Sequence, residues 1–184
     1  ADTKHIVSQY TLPIIPNSYA KLIDHKENFK AILKHNGVGH VIPFKTFLSS
    51  ELDKAISYIK SDIGFPVVSK PIVGRASQLV FPNIIDENEL RHIWNTYYTD
   101  SAIPENKVVI EKYLADTADY RFFLFKDKDP EIYVRVKPQI IGDGVHSLSD
   151  MVEVENKKRD KQGMQFSLDI EHCDINRVLS HQGL

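Results

Sequence analysis

Two periodicities divide this chain. Phe29, Ile32 and Leu33 fall on one helical face, behind Asp24 as the expected N-cap, with Glu27 three residues on and Gly37 as the stop. Leu52, Ala55, Ile56 and Ile59 repeat the pattern after Ser49 or Ser50, up to Gly64. A third stripe, Leu90, Ile93, Trp94 and Tyr97, follows Asp86 and the acid Glu89; Trp94 at that spacing reads as core. Ser147 and Asp150 open a fourth helix with Leu148, Met151 and Val152 inside, and Asp174 caps a short last one ending at Gly183. Strand signals lie between these helices, at 41–47, 67–70, 80–81, 107–114, 119–125, 132–137 and 166–170. Residues 1–23 read as an extended segment broken by prolines, 82–83 and 126–130 as turns, and 157–162 as a solvated charge run.

The order β–α–β, helix, then strands with segregated helices predicts an α+β fold with two lobes. The expected division is an N-terminal segment 1–23, a first lobe 24–114 and a second, incomplete lobe 115–184. The lobes would meet near residues 111–119, a common kind of place for a ligand.

Composition narrows the classes. With 184 residues, 42% hydrophobic and 26% charged, the chain is an ordinary globular protein; its net charge of -2 gives no case for nucleic acid or an anionic membrane. Cys173 is alone, so no internal disulfide can form, and a cytoplasmic setting is expected. The histidines from His25 to His181 show no H-x-x-H or H-x-x-x-H spacing, so no structural metal is expected.

Chemistry concentrates in one stretch, Gly64-Phe65-Pro66-Val67-Val68-Ser69-Lys70-Pro71-Ile72-Val73-Gly74-Arg75-Ala76-Ser77. Pro66 and Pro71 bracket a short β-branched run, which delivers Lys70 to a strand end beside a glycine loop. A cation beside exposed backbone N–H groups is a generic phosphate cradle, although an edge strand with a solvated lysine fits the same residues. Glu111 stands in an apolar strand and needs a partner. Asp119 could pair with Arg121, and Arg135 shares a strand face with Lys137.

Three blocks together carry a resemblance. They are residues 64–77; Val109-Ile110-Glu111-Lys112-Tyr113-Leu114 with Asp119-Tyr120-Arg121; and Arg135-Val136-Lys137-Pro138 leading to Ile141-Gly142-Asp143-Gly144-Val145-His146-Ser147-Leu148. In that order and at those separations, over roughly residues 20–184, the chain resembles the ATP-grasp superfamily of carboxylate–amine ligases. The branch it is most similar to is that of the cyanophycin synthetases, with the ATP-grasp half of bifunctional glutathione synthetases nearby.

The resemblance implies ATP held between two antiparallel lobes. Lys26 matches a lysine that starts the helix before the first lobe and reaches the phosphates, and Lys70 the strand lysine on the α and β phosphates. Gly74 to Ser77 match a mobile phosphate loop, and Glu111, Lys112, Tyr113 and Leu114 the hinge against the adenine edge. Asp119 matches the acid on the ribose hydroxyls, and Arg135 a basic residue facing the transferred phosphate. Lys70 and Arg135 would thus be the catalytic cations, acting by positioning and charge rather than by acid–base exchange.

The match departs at Leu79, where the family often has a second glycine, and at the bulkier Arg75 and Gln78. The family's magnesium ligands lie on strands beyond this stretch, so the sequence reads as a central piece of a longer enzyme, inactive alone. Glu153, Glu155 and Asn156 would be surface residues rather than substitute ligands. The expected partners are a small amino-acid or peptide substrate, with neither nucleic acid nor membrane, and a homo-oligomer is compatible. The alternative is a degenerate nucleotide-binding or interaction module without catalysis; a kinase is disfavoured by the lack of H-R-D and D-F-G elements.

Overall fold

A computed structural model describes residues 17–74, 78–98, 103–115, 117–125, 128–135, 140–163, 167–168 and 175–181. The chain forms two compact units, Ala1–Ala115 and Asp116–Leu184. Ser77, Cys173, the Asp174 cap, the Gly183 stop, residues 136–137 and most of the expected strand at 166–170 lie outside the described residues. No described helix is long and apolar enough to cross a membrane.

The first unit is built on a four-stranded antiparallel sheet. Its strands are β1 (Phe44–Leu48), β2 (Val67–Pro71), β3 (Phe81–Ile84) and β4 (Lys107–Lys112), in the order β1-β4-β2-β3. Helices α1 (Asn17–Asp24), α2 (Lys26–His35), α3 (Leu52–Tyr58) and α4 (Glu87–Tyr97) accompany it, with a π turn over Ile59–Ile63 after α3. Alternation sorts the strand residues. Phe47, Val67, Phe81, Ile84, Val108 and Ile110 meet Ala55 and Ile56 of α3 and Leu90, Ile93 and Trp94 of α4 in one core. Trp94 satisfies its buried indole N–H on the Ser49 carbonyl at 2.6 Å, and Tyr98 joins the Ser69 hydroxyl (3.0 Å) and the Leu79 carbonyl (2.9 Å). The opposite face of the sheet carries Phe44, Val68, Lys70, Val109 and Glu111, as the pairing register requires.

Several local expectations shift. Asn17–Asp24 is helical rather than extended, because a proline ahead of a first turn sacrifices no helical hydrogen bond. Helix α2 begins two residues after Asp24 with His25 as its cap, and none of its residues is buried: the predicted stripe Phe29, Ile32, Leu33 is at best half-covered. Glu51, not Ser49 or Ser50, precedes α3; its carboxylate turns back to the Leu48 N–H at 3.0 Å. Pro82 and Asn83 sit inside β3 rather than in a turn, which an edge strand tolerates because its outer N–H row needs no partner. Strand β2, by contrast, is interior, flanked by β4 and β3. The capping pairs hold: Asp86 accepts from the Glu89 N–H at 2.8 Å, and Ser147 with Asp150 forms a reciprocal box.

The second unit contains the hairpin β5 (Asp119–Phe125) and β6 (Lys128–Arg135), then α5 (Leu148–Lys161) and α6 (Ile175–His181). Residues 128–130, expected in a turn, already belong to β6. Ser167 and Leu168 are not in a strand; the Asn156 amide holds both backbone groups of Leu168, at 2.6 and 2.9 Å.

Candidate functional site: a lysine cluster on the α2 face of the sheet

Lys70 and Glu111 are 41 residues apart in sequence and joined in space. Val68 pairs directly with Glu111, so Lys70, two residues on, projects from the same face one step along the neighbouring strand. The Lys70 ammonium meets Glu111 Oε2 at 2.8 Å. Lys30 reaches the other oxygen, Oε1, at 2.6 Å, a charge contact off the hydrogen-bond axis of that oxygen. The Lys30 ammonium also lies 4.5 Å above the Phe44 ring. Lys26 enters from the first turn of α2: its backbone N–H and its ammonium both approach the Ile72 carbonyl, each at 3.3 Å.

Two ammonium groups therefore grip one nearly buried carboxylate, and a third, on Lys26, lies close enough to feel the Lys70 charge. Burial lowers the pKa of Lys26, and the neighbouring Lys70 charge lowers it further. Burial is likewise the largest influence on Lys30 and carries its pKa down against the pull of Glu111. For Glu111 burial pushes upward, but Lys70 and Lys30 together outweigh it and hold the carboxyl below its usual range. The local balance is an excess of positive charge with restricted access to water. That is a surface for an anion with several oxygens.

The other expected residues distribute differently. Lys112 lies on the opposite face from Glu111; its ammonium holds the Gly64 and Phe65 carbonyls at 3.2 and 3.0 Å, fastening the turn that enters β2. The Lys112 and Tyr113 N–H groups bond to the Pro43 and Pro66 carbonyls, both at 3.1 Å, and Leu114 is exposed. Gly74 is exposed with open space where a Cβ would stand, so backbone there is accessible to a ligand. Asp119 and Arg135 are backbone register partners at the end of the β5–β6 ladder. Ser77 lies outside the described residues.

Lys30 is the site residue that sequence reasoning missed. The signal was available in the Lys26/Lys30 spacing, since residues four apart stack on one helical face. The acids near Asn156 are engaged: Glu153 with Lys157, and Glu155 with Lys158 and Arg159. Among the described residues there is no group of three or more His, Cys, Asp or Glu side chains placed to hold a metal ion.

No family model matches the chain. Over 52 residues, 28% of the chain, it is 36% identical to the bifunctional glutathione biosynthesis protein of Pasteurella multocida. Over 53 residues it is 30% identical to the corresponding protein of Streptococcus agalactiae, and each match spans 7% of the relative's length. Among solved structures it is similar to the biotin carboxylase domain of Hydrogenobacter thermophilus 2-oxoglutarate carboxylase, determined with magnesium ADP and bicarbonate. The TM-score is 0.50 at 22% identity, over 57% of this chain and 23% of that one. A D-alanine–D-alanine ligase from Helicobacter pylori aligns with a TM-score of 0.49 at 17% identity, over 80% of this chain and 47% of the ligase. The biotin carboxylase likeness shows the fold: α+β, with antiparallel sheets and packed helices in the ATP-grasp arrangement.

Proposed function

We propose that this chain is the nucleotide-binding portion of an ATP-dependent ligase that joins a carboxylate to an amine. The observation that carries the proposal is the pairing of Lys70 and Lys30 with Glu111, with Lys26 on the Ile72 carbonyl just past β2, an anion-seeking cluster on one face of the sheet. Triphosphate oxygens suit it because each ammonium offers several donors, and partial burial strengthens every contact. Lys70 and Lys26 would bind the phosphates, with Gly74 giving backbone room for them. The segment Glu111 to Leu114 would receive the purine, and Asp119 and Arg135 would serve ribose and transferred phosphate.

In the proposed reaction a substrate carboxylate oxygen attacks the γ-phosphorus and ADP leaves. The amine nitrogen of an amino acid or peptide then attacks the acyl carbon. Phosphate departs, the amine gives up a proton, and an amide remains. The chain's share is to bind, orient and offset charge, which is most of what phosphoryl transfer asks of a protein. Magnesium would be held by residues other than those described.

Calorimetric titration of the chain with ATP and magnesium tests this. Binding is expected, and Lys70→Met should abolish it. Equal binding by wild type and Lys70→Met would overturn the phosphate assignment.

A further inference from the structure

Glu111 has two cationic partners where one would neutralise it. Its carboxylate is almost wholly buried, with Lys70 on one oxygen and Lys30 on the other. A buried carboxylate stripped of its counter-ion is strongly unfavourable, because water cannot replace the lost partner. If Lys70 were the only cation on Glu111, turning it toward a phosphate would strand that charge. Lys30 removes the obstacle. It comes from a different element, helix α2, and its own ammonium is steadied over the Phe44 ring at 4.5 Å.

We propose that Lys30 is a positioning residue that retains Glu111 while Lys70 exchanges the carboxylate for nucleotide phosphate. The proposal rests on the nucleotide-binding function above and adds a division of labour within the cluster. Lys70 is the mobile cation, Lys30 the resident one, and Glu111 the anion that holds Lys70 in place while no nucleotide is bound. Lys26, on Ile72 rather than on Glu111, stands outside this exchange. The geometry also explains why the carboxylate is present at all. Without it, three ammonium groups would repel one another in a partly desolvated corner.

A double-mutant cycle on the full 184-residue chain tests the division, with magnesium ATP titrated calorimetrically into wild type, Lys30→Met, Glu111→Gln and the double variant. Lys30→Met should weaken ATP binding by about tenfold or more, since the departing Lys70 now leaves a bare carboxylate. Lys30→Arg should restore affinity to within about threefold, because the guanidinium keeps the charge on Glu111. In the Glu111→Gln background, Lys30→Met should cost less than about twofold, there being no charge to strand. Should Lys30→Met fail to fold by circular dichroism, Lys30→Gln takes its place in the cycle. An equal loss in both backgrounds would mean that Lys30 touches the nucleotide or merely supports the fold. That outcome overturns the proposal while leaving the nucleotide function standing, provided Lys70→Met still abolishes binding. No ATP binding by wild type would overturn both.

Discussion

The two units handle apolar surface in opposite ways. In the first, the four-stranded sheet is packed by α3 and α4 on one face, with Trp94, Leu90, Ile84 and Val108 almost wholly removed from water. In the second, the β5–β6 hairpin leaves Tyr120, Phe122, Ile132 and Val134 between 54% and 60% exposed. An isolated two-stranded hairpin is marginal in water, whereas three or more strands with a covered face sustain themselves. The cluster around Glu111 therefore sits on the sheet that has a covered core. Lys70 and Glu111 are held by strands whose other side is core, which is how a binding group keeps its geometry.

The largest expected effect comes from attacking that core. Trp94→Ala should lower the stability of the first unit by about 3–5 kcal/mol, read as a shift in the urea midpoint by circular dichroism. A milder change is Tyr98→Phe, which removes one hydroxyl from the buried contacts to Ser69 and Leu79. It should cost about 1–2 kcal/mol by the same measurement.

Acid should act on the cluster. The folded pKa of Glu111 lies below its ordinary 4.5, so its contribution to stability is full above that value and is lost as pH falls through the depressed folded value. Between pH 7 and pH 3 the urea midpoint of wild type should therefore drop further than that of Glu111→Gln. Parallel drops would show that the carboxylate is not held by its lysines. The smallest effect belongs to the hairpin: Phe122→Ser should change stability by no more than about 0.5 kcal/mol, because the ring is already in water. A larger loss would erase the contrast between the units.

Local chemistry was legible where a few neighbouring residues decide the outcome. The Asp86 and Ser147 caps, the proline-bracketed β2 and the Trp94 stripe all follow from spacings of three or four residues or from the geometry of proline. The Asp24 cap failed because His25 offers a ring nitrogen 3.4 Å from the Asn28 N–H, one residue later. Helix α2 misled for a different reason. Its apolar stripe predicts burial, but its lysines face the sheet and its apolar residues stay partly wet.

By itself, then, the sequence determined the α+β class, most helices and strands, and the lysine, glycine and glutamate around which a nucleotide site could form. Tertiary structure alone decided the strand order β1-β4-β2-β3, and with it which side chains share a face. That order put Glu111 beside Lys70, and the packing of α2 added Lys30 on the other oxygen. The reason is physical: caps and turns answer to neighbours in the chain, whereas a strand shifted by one residue presents its other face, and only the packing of the whole sheet selects between the two.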